Sequence, residues 1–184
     1  MASAEKAKPT WRDVKAELDR FDRVGLLGLI KDLHEANRDN EAFLYARLGL
    51  GSDPLGPYRK TISRWICPDV MKGQNVSIAK AKKAISDYKK AIGLPQGVAE
   101  LSVFYCEEAF SLLSWCGMDD EGYYAALVRM FEQALTAVER LPASEHASFY
   151  ERLDPLRSKA GSLGWGVQDE FNELWHSIVQ CVGI

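Results

Sequence analysis

From Thr10 to Val182 the large apolar residues recur in steps of three and four, interrupted only where Gly or Pro breaks the pattern, and nowhere do they alternate with period two. A helix turns about 100° per residue and a strand alternates faces, so this spacing writes helices and leaves no strand to build a sheet. The expected fold class is all-α. Seven to nine helices in antiparallel pairs would give a small α-solenoid or an irregular helical bundle. No residue signature repeats along the chain, as a strict repeat array would require.

At 184 residues with 47% hydrophobic and 27% charged side chains, the chain has the size and composition of one folded domain. A chain of this length buries about 70% of the surface its unfolded form exposes, so folding requires neither disulfide nor metal. The organisation reads as a disordered tail over 1–9 and a single helical domain over 10–184. Within the latter, N-terminal helices fill 10–48. A linker follows at 49–57, where Gly49, Gly51, Pro54, Gly56 and Pro57 crowd together, and the main helical unit occupies 58–184.

Thr10 with Asp13 forms a capping box opening the first helix, in which Val14, Leu18 and Phe21 follow at helical spacing. Val24, Leu27, Ile30 and Leu33 mark a second helix, and a helical hairpin is expected among these N-terminal helices. Phe43 and Leu44 are expected inward on a third. Further on, Ser77 caps a helix carrying Ile78, Ala81, Ile85, Tyr88 and Ile92, and residues 98–116 are apolar on most sides, as in a buried central helix. Asp119 or Asp120 caps the next. Asp154-Pro155 is expected to interrupt a helix begun near Ser144, and a last helix bears Val167, Phe171, Leu174, Ile178 and Val182. The expected core rests on Leu27, Ile85, Phe104, Leu112, Phe131 and Phe171.

Charge is distributed unevenly. Residues 59–99 carry nine basic and two acidic side chains, and residues 100–145 carry two and nine. A +7 block thus precedes a -7 block. They either neutralise each other across adjacent helices or present two faces to two partners. Arg59, Lys60, Arg64, Lys80, Lys82, Lys83, Lys89 and Lys90 make a basic surface with Tyr58, Trp65 and Tyr88 nearby. It suits an acidic protein surface or a polyanion. The overall net charge of -3 gives no bulk affinity for nucleic acid.

No signature of catalysis stands out. His34, His146 and His176 have no partner ligand at i+3 or i+4, so no metal site is implied. There is no G-x-S-x-G elbow, and the glycines of 49–57 lack the Lys-Ser/Thr ending of a phosphate loop. The Asp119, Asp120, Glu121 run reads as helix capping. Tyr105, Glu107 and Glu108 form a candidate acidic pocket, with Trp165 and Asp169 as candidate aromatic and acidic additions. Trp165, between Gly164 and Gly166, reads first as a packing anchor folded into a groove, and Asp169 as the cap of the last helix.

Cys67, Cys106, Cys116 and Cys181 show no C-x-x-C pairing and sit in or beside apolar helical stretches, which suits buried thiols in a reducing cytoplasm. The first nine residues lack the apolar core of a signal peptide. No segment approaches the roughly 20 apolar residues of a membrane span.

S-I-A-K-A-K-K-A-I-S-D-Y-K-K at Ser77 to Lys90, F-Y-C-E-E-A-F at Phe104 to Phe110, Y-Y-A-A-L-V-R-M-F-E-Q-A-L at Tyr123 to Leu135 and G-W-G-V-Q-D-E-F at Gly164 to Phe171 together resemble a family of small all-helical bacterial proteins catalogued only as a domain of unknown function. The likeness covers about residues 58–180, with a departure at Val167 and Gln168. It implies a single helical unit from a bacterium or its phage, and no reaction. The reading is therefore a non-enzymatic helical interaction protein, cytoplasmic and without cofactor, that binds a protein partner through a helical surface. The alternative is a nucleic-acid-binding module using the lysine face of residues 77–92. Association with further copies of the chain stays open.

Overall fold

The structure, a computed structural model, describes residues 8–51 and 53–179. The expected tail falls mostly on residues 1–7, and Cys181 and Val182 lie beyond 179, so these expectations lie outside the described residues. Among the described residues there are nine α-helices and no strand. The helical spacing of the apolar residues thus becomes an all-α fold.

The chain divides into two compact units, Met1–Leu44 and Tyr45–Ile184. The first holds α1 (Trp11–Leu18), α2 (Arg23–Ala36) and the start of α3 (Arg38–Leu48). The Asp13 carboxylate accepts from the Thr10 amide at 2.8 Å and its hydroxyl at 2.7 Å, and Asp22 accepts from the Gly25 amide at 2.7 Å to cap α2. The expected hairpin does not form. Neither α1 nor α2 buries a residue, and among the described residues no two of α1, α2 and α3 form a packed pair. Leu27, expected in the core, is 57% exposed, and Phe43 also faces solvent. The periodicity specifies the apolar stripe but cannot specify what covers it.

The second unit contains the end of α3 and six helices: α4 (Gly56–Ile66), α5 (Ile78–Ala91), α6 (Pro95–Cys116), α7 (Glu121–Glu139), α8 (Ala143–Lys159) and α9 (Val167–Ile178). Its axis is α6. Pro95 starts this helix with the fixed φ that suits a first turn, and Gly117 ends it in the left-handed conformation at φ 59°. Eleven of its 22 residues are buried, and it packs against α4, α5, α7 and α8. Contacts such as α4 with α6, α6 with α8 and α7 with α9 skip a helix. With α6 packed on four other helices and no residue signature repeating along the chain, the unit is a helical bundle.

Two close approaches lock the bundle. Tyr88 of α5 is buried, and its hydroxyl fills the space a side chain at Gly97 of α6 would need, 1.9 Å from where a Cβ would stand. Phe131 of α7 stacks on Phe171 of α9 with ring centroids 3.9 Å apart. Ile85, Leu112, Phe131 and Phe171 are buried as expected, whereas Phe104 is only half-buried. Pro155 does not interrupt α8, which runs through it. Its absent N–H would have paired with the Glu151 carbonyl, and both residues lie on the exposed face, the side of a helix where an unpaired carbonyl costs least. Phe149, Leu153 and the following Ala160 meanwhile hold the segment to the core.

Candidate functional site: a basic face and an ionised seam

Tyr58, Ile62 and Ile66 bury one stripe of α4, which leaves Lys60 and Arg64 exposed. On α5 the buried Ala81, Ala84, Ile85, Tyr88 and Ala91 point the lysines the other way. The two helices are joined where the Ser77 amide donates to the Trp65 carbonyl at 2.9 Å, which brings Lys80 beside Trp65. The Lys80 ammonium stands 3.8 Å from the ring centroid and the Arg64 guanidinium 4.5 Å, both within cation–π range. Trp65 is half-buried against the core. The other aromatics expected there are not on this face: Tyr58 and Tyr88 are buried, edge to face at 5.4 Å.

Lys80, Lys83, Lys89 and Lys90 are exposed, and Lys83 pairs with Asp87 of its own helix at 2.6 Å. Lys82 is half-buried. Burial, with Arg129 of α7 nearby, lowers its pKa. Arg59 turns inward and meets Glu100 of α6 at 3.0 Å. Beside it Lys60, Arg64, Cys67, Asp69 and Phe104 help line a shallow groove of about 480 Å³.

The carboxylates of α6 are held elsewhere. Glu100 and Glu107 lie seven residues apart, two helical turns on one face. Arg152 of α8 reaches both. Its Nε and one terminal nitrogen grip Glu107 at 2.7 Å each, and its other terminal nitrogen meets Glu100 at 2.6 Å. Burial alone would raise the Glu100 carboxyl, but the Arg152 and Arg59 guanidiniums overcome it and hold its pKa below the ordinary value. The Arg152 guanidinium is driven further toward its charged form, first by its hydrogen bonds to Glu107. Glu108 accepts from the Ser63 hydroxyl at 2.6 Å.

Tyr105 does not join Glu107 and Glu108. It is fully buried, and its hydroxyl has no hydrogen-bond partner among the described residues. Among the described residues Arg59–Glu100 and Ser63–Glu108 are the polar side-chain links between α4 and this acidic helix.

Trp165 is not the packing anchor its flanking glycines suggest. It is 55% exposed and adopts φ 61°, in the left-handed region. Its indole N–H donates to Asp119 at 2.6 Å. Asp169 does not cap α9; Gly166 occupies the N-cap at φ 69° and Asp169 sits in the first turn, where its charge suits the helix dipole. Asp120, not Asp119, caps α7, accepting from the Tyr123 amide at 2.8 Å.

Arg152 was not singled out from the sequence. The signal lay in the nine acids of residues 100–145 against two cations, an excess that calls for a counterion from a later helix. Among the described residues no group of three or more His, Cys, Asp or Glu side chains is placed to hold a metal ion, and no helix is long and apolar enough to cross a membrane. Compared with protein-family models, curated proteins and solved structures, the chain matches none.

Proposed function

We propose that this chain is a non-enzymatic helical interaction protein whose basic α4–α5 face binds an acidic surface on a protein partner. The observation that carries the reading is Trp65, held between Arg64 and Lys80 and flanked by exposed lysines. Trp and Arg dominate the energetic centres of protein interfaces, and a cationic surround steers an acidic partner without needing a catalytic group. The α6 carboxylates, spent on Arg152, Arg59 and Ser63, leave that surround largely unneutralised. The same reading places the protein in the cytoplasm, where its thiols stay reduced.

The test uses a fluorescent amphipathic peptide rich in Glu and Leu, with a DNA duplex as competitor. Replacing Arg64, Lys83, Lys89 and Lys90 by Glu should abolish peptide binding while leaving the melting transition in place, since these side chains are exposed. Tight duplex binding with a log–log salt slope of about -0.9 per phosphate contact, lost in the same variant, would instead establish the lysine face as a nucleic-acid site.

A further inference from the structure

Helices α5, α6 and α7 leave a cavity of about 590 Å³ between them, within the range of roughly 300–1,000 Å³ that small-molecule pockets occupy. Lys89 lines it from the last turn of α5, Pro95, Val98 and Ser102 from one face of α6, and Thr136 and Arg140 from the end of α7. Lys89 and Lys80 stand about 180° apart around α5 at 100° per residue. The cavity therefore opens on the flank of that helix away from the contact of Lys80 with Trp65.

Cations of α5 and α7 meet twice along this flank. Burial and the nearby Arg129 of α7 lower the pKa of Lys82, so two like charges face each other there. Two turns further along α5, Lys89 shares the cavity with Arg140. Among the described residues no ion pair or hydrogen bond engages the charged ends of Lys82, Lys89, Arg129 or Arg140. The start of α6 adds to the same end: Leu94 at its N-cap offers no side-chain acceptor and Pro95 follows, leaving the first-turn amides open.

The other end of the cavity accepts hydrogen bonds. Glu132 lies on α7 eight residues before Arg140, roughly 12 Å away along the axis, and lines the cavity with no partner among the described residues. Ser102 is 2% exposed and donates to the Val98 carbonyl at 2.8 Å, which leaves its oxygen able to accept. Val98 and Ala137 supply apolar surface to the same lining.

We propose that this cavity binds a small phosphate monoester bearing hydroxyl groups, with the phosphate between Lys89 and Arg140 and the hydroxyls donating to Ser102 and Glu132. A dianion answers both cations, which a single carboxylate does not. A nucleic acid or an acidic peptide repeats its charge along its length and would set one of those charges against Glu132. Two ends of opposite sign thus select a short ligand that is anionic at one end alone. The site does not depend on the partner read for the α4–α5 face.

NMR titration of the isotope-labelled full chain tests it, with inorganic phosphate, ribose 5-phosphate and ribose as probes. Ribose 5-phosphate should shift the amides of Gly93, Thr136 and Ala137 saturably and bind more tightly than inorganic phosphate, and ribose alone should leave them in place. Arg140→Glu and Lys89→Glu should each weaken ribose 5-phosphate about 10-fold or more, whereas Arg64→Glu should not. Arg140→Glu should also leave binding of the acidic peptide unchanged, so the two sites fail separately. Absence of a saturable shift with either phosphate compound, or binding that Arg140→Glu leaves intact, overturns the inference. Glu132→Gln should weaken ribose 5-phosphate relative to inorganic phosphate, and an unchanged ratio overturns the placement of the hydroxyls.

Discussion

Trp165 donates its indole N–H to Asp119 at 2.6 Å, closing the connection before α9 onto the loop before α7. The contact holds a residue whose backbone stands at φ 61°, a conformation that costs an L-residue about 1–2 kcal/mol. Because the ring is largely exposed, Trp165→Ala should cost about 1 kcal/mol, the scale of one net hydrogen bond, and not the 3–5 kcal/mol of a buried aromatic.

Trp165→Gly should be the more stable of the two variants by roughly 0.5–1 kcal/mol, since glycine adopts positive φ without strain. Thermal unfolding followed by circular dichroism compares them. A loss above about 3 kcal/mol in the alanine variant would place the ring in the core after all.

Arg152→Ala leaves Glu107 without its guanidinium and Glu100 with Arg59 alone, both in partly buried surroundings. The expected destabilisation at neutral pH is about 2 kcal/mol, below the 3–5 kcal/mol of a fully buried pair because solvent reaches this one. With Arg152 present the Glu100 pKa is depressed. That stability is therefore fully present above the ordinary Glu value of about 4.3 and is lost as pH falls through the lower folded value. In the variant Arg59 alone opposes the burial of Glu100, so the depression shrinks and the gap between wild type and variant should narrow as the solution is acidified. Denaturant titrations at neutral and acidic pH measure it, and a gap that is independent of pH would refute the ionic account.

Much of the fold was legible because each helix carries its own boundary chemistry. Ser77, Asp120, Gly117 and the Thr10–Asp13 box all do locally what their residue types predict. The failures share a different cause. Leu27 and Trp165 were read from local spacing and flexibility, yet burial is decided by what lies across from a side chain. The helical signal at Leu27 is sound, but no packed neighbour covers it. The basic face followed from residue type and a helical wheel alone, whereas the Arg152 fork joins residues 45 and 52 positions apart, a pairing no single segment encodes.

The cysteines give a residue-by-residue prediction. Burial, with Glu108 close by, raises the Cys67 thiol above its ordinary range, and burial raises that of the fully enclosed Cys106 further. Both should alkylate with iodoacetamide far more slowly than a free cysteine at pH 8, as read by peptide mass spectrometry, and should reach the free rate in denaturant. Rapid labelling of Cys106 in the native protein would contradict its enclosure.

Two buried tyrosines one helix apart should respond in opposite directions to loss of the hydroxyl. Tyr123 of α7 donates to the Ile66 carbonyl at 2.6 Å, satisfying one of the acceptors left open at the end of α4. Tyr123→Phe should cost about 1 kcal/mol. Tyr105 keeps a buried hydroxyl with no partner among the described residues, so Tyr105→Phe removes a desolvated polar group and should leave stability unchanged or raise it by up to about 1 kcal/mol. Burial pushes both phenols above their ordinary value. The stability that depends on their neutral forms is therefore intact below pH about 10 and is lost as pH rises beyond it. Each Phe variant should lose less stability than wild type between neutral pH and pH about 11. Denaturant midpoints at the two pH values decide the matter: a Tyr105→Phe variant less stable than wild type at neutral pH would mean that the hydroxyl has a partner in solution.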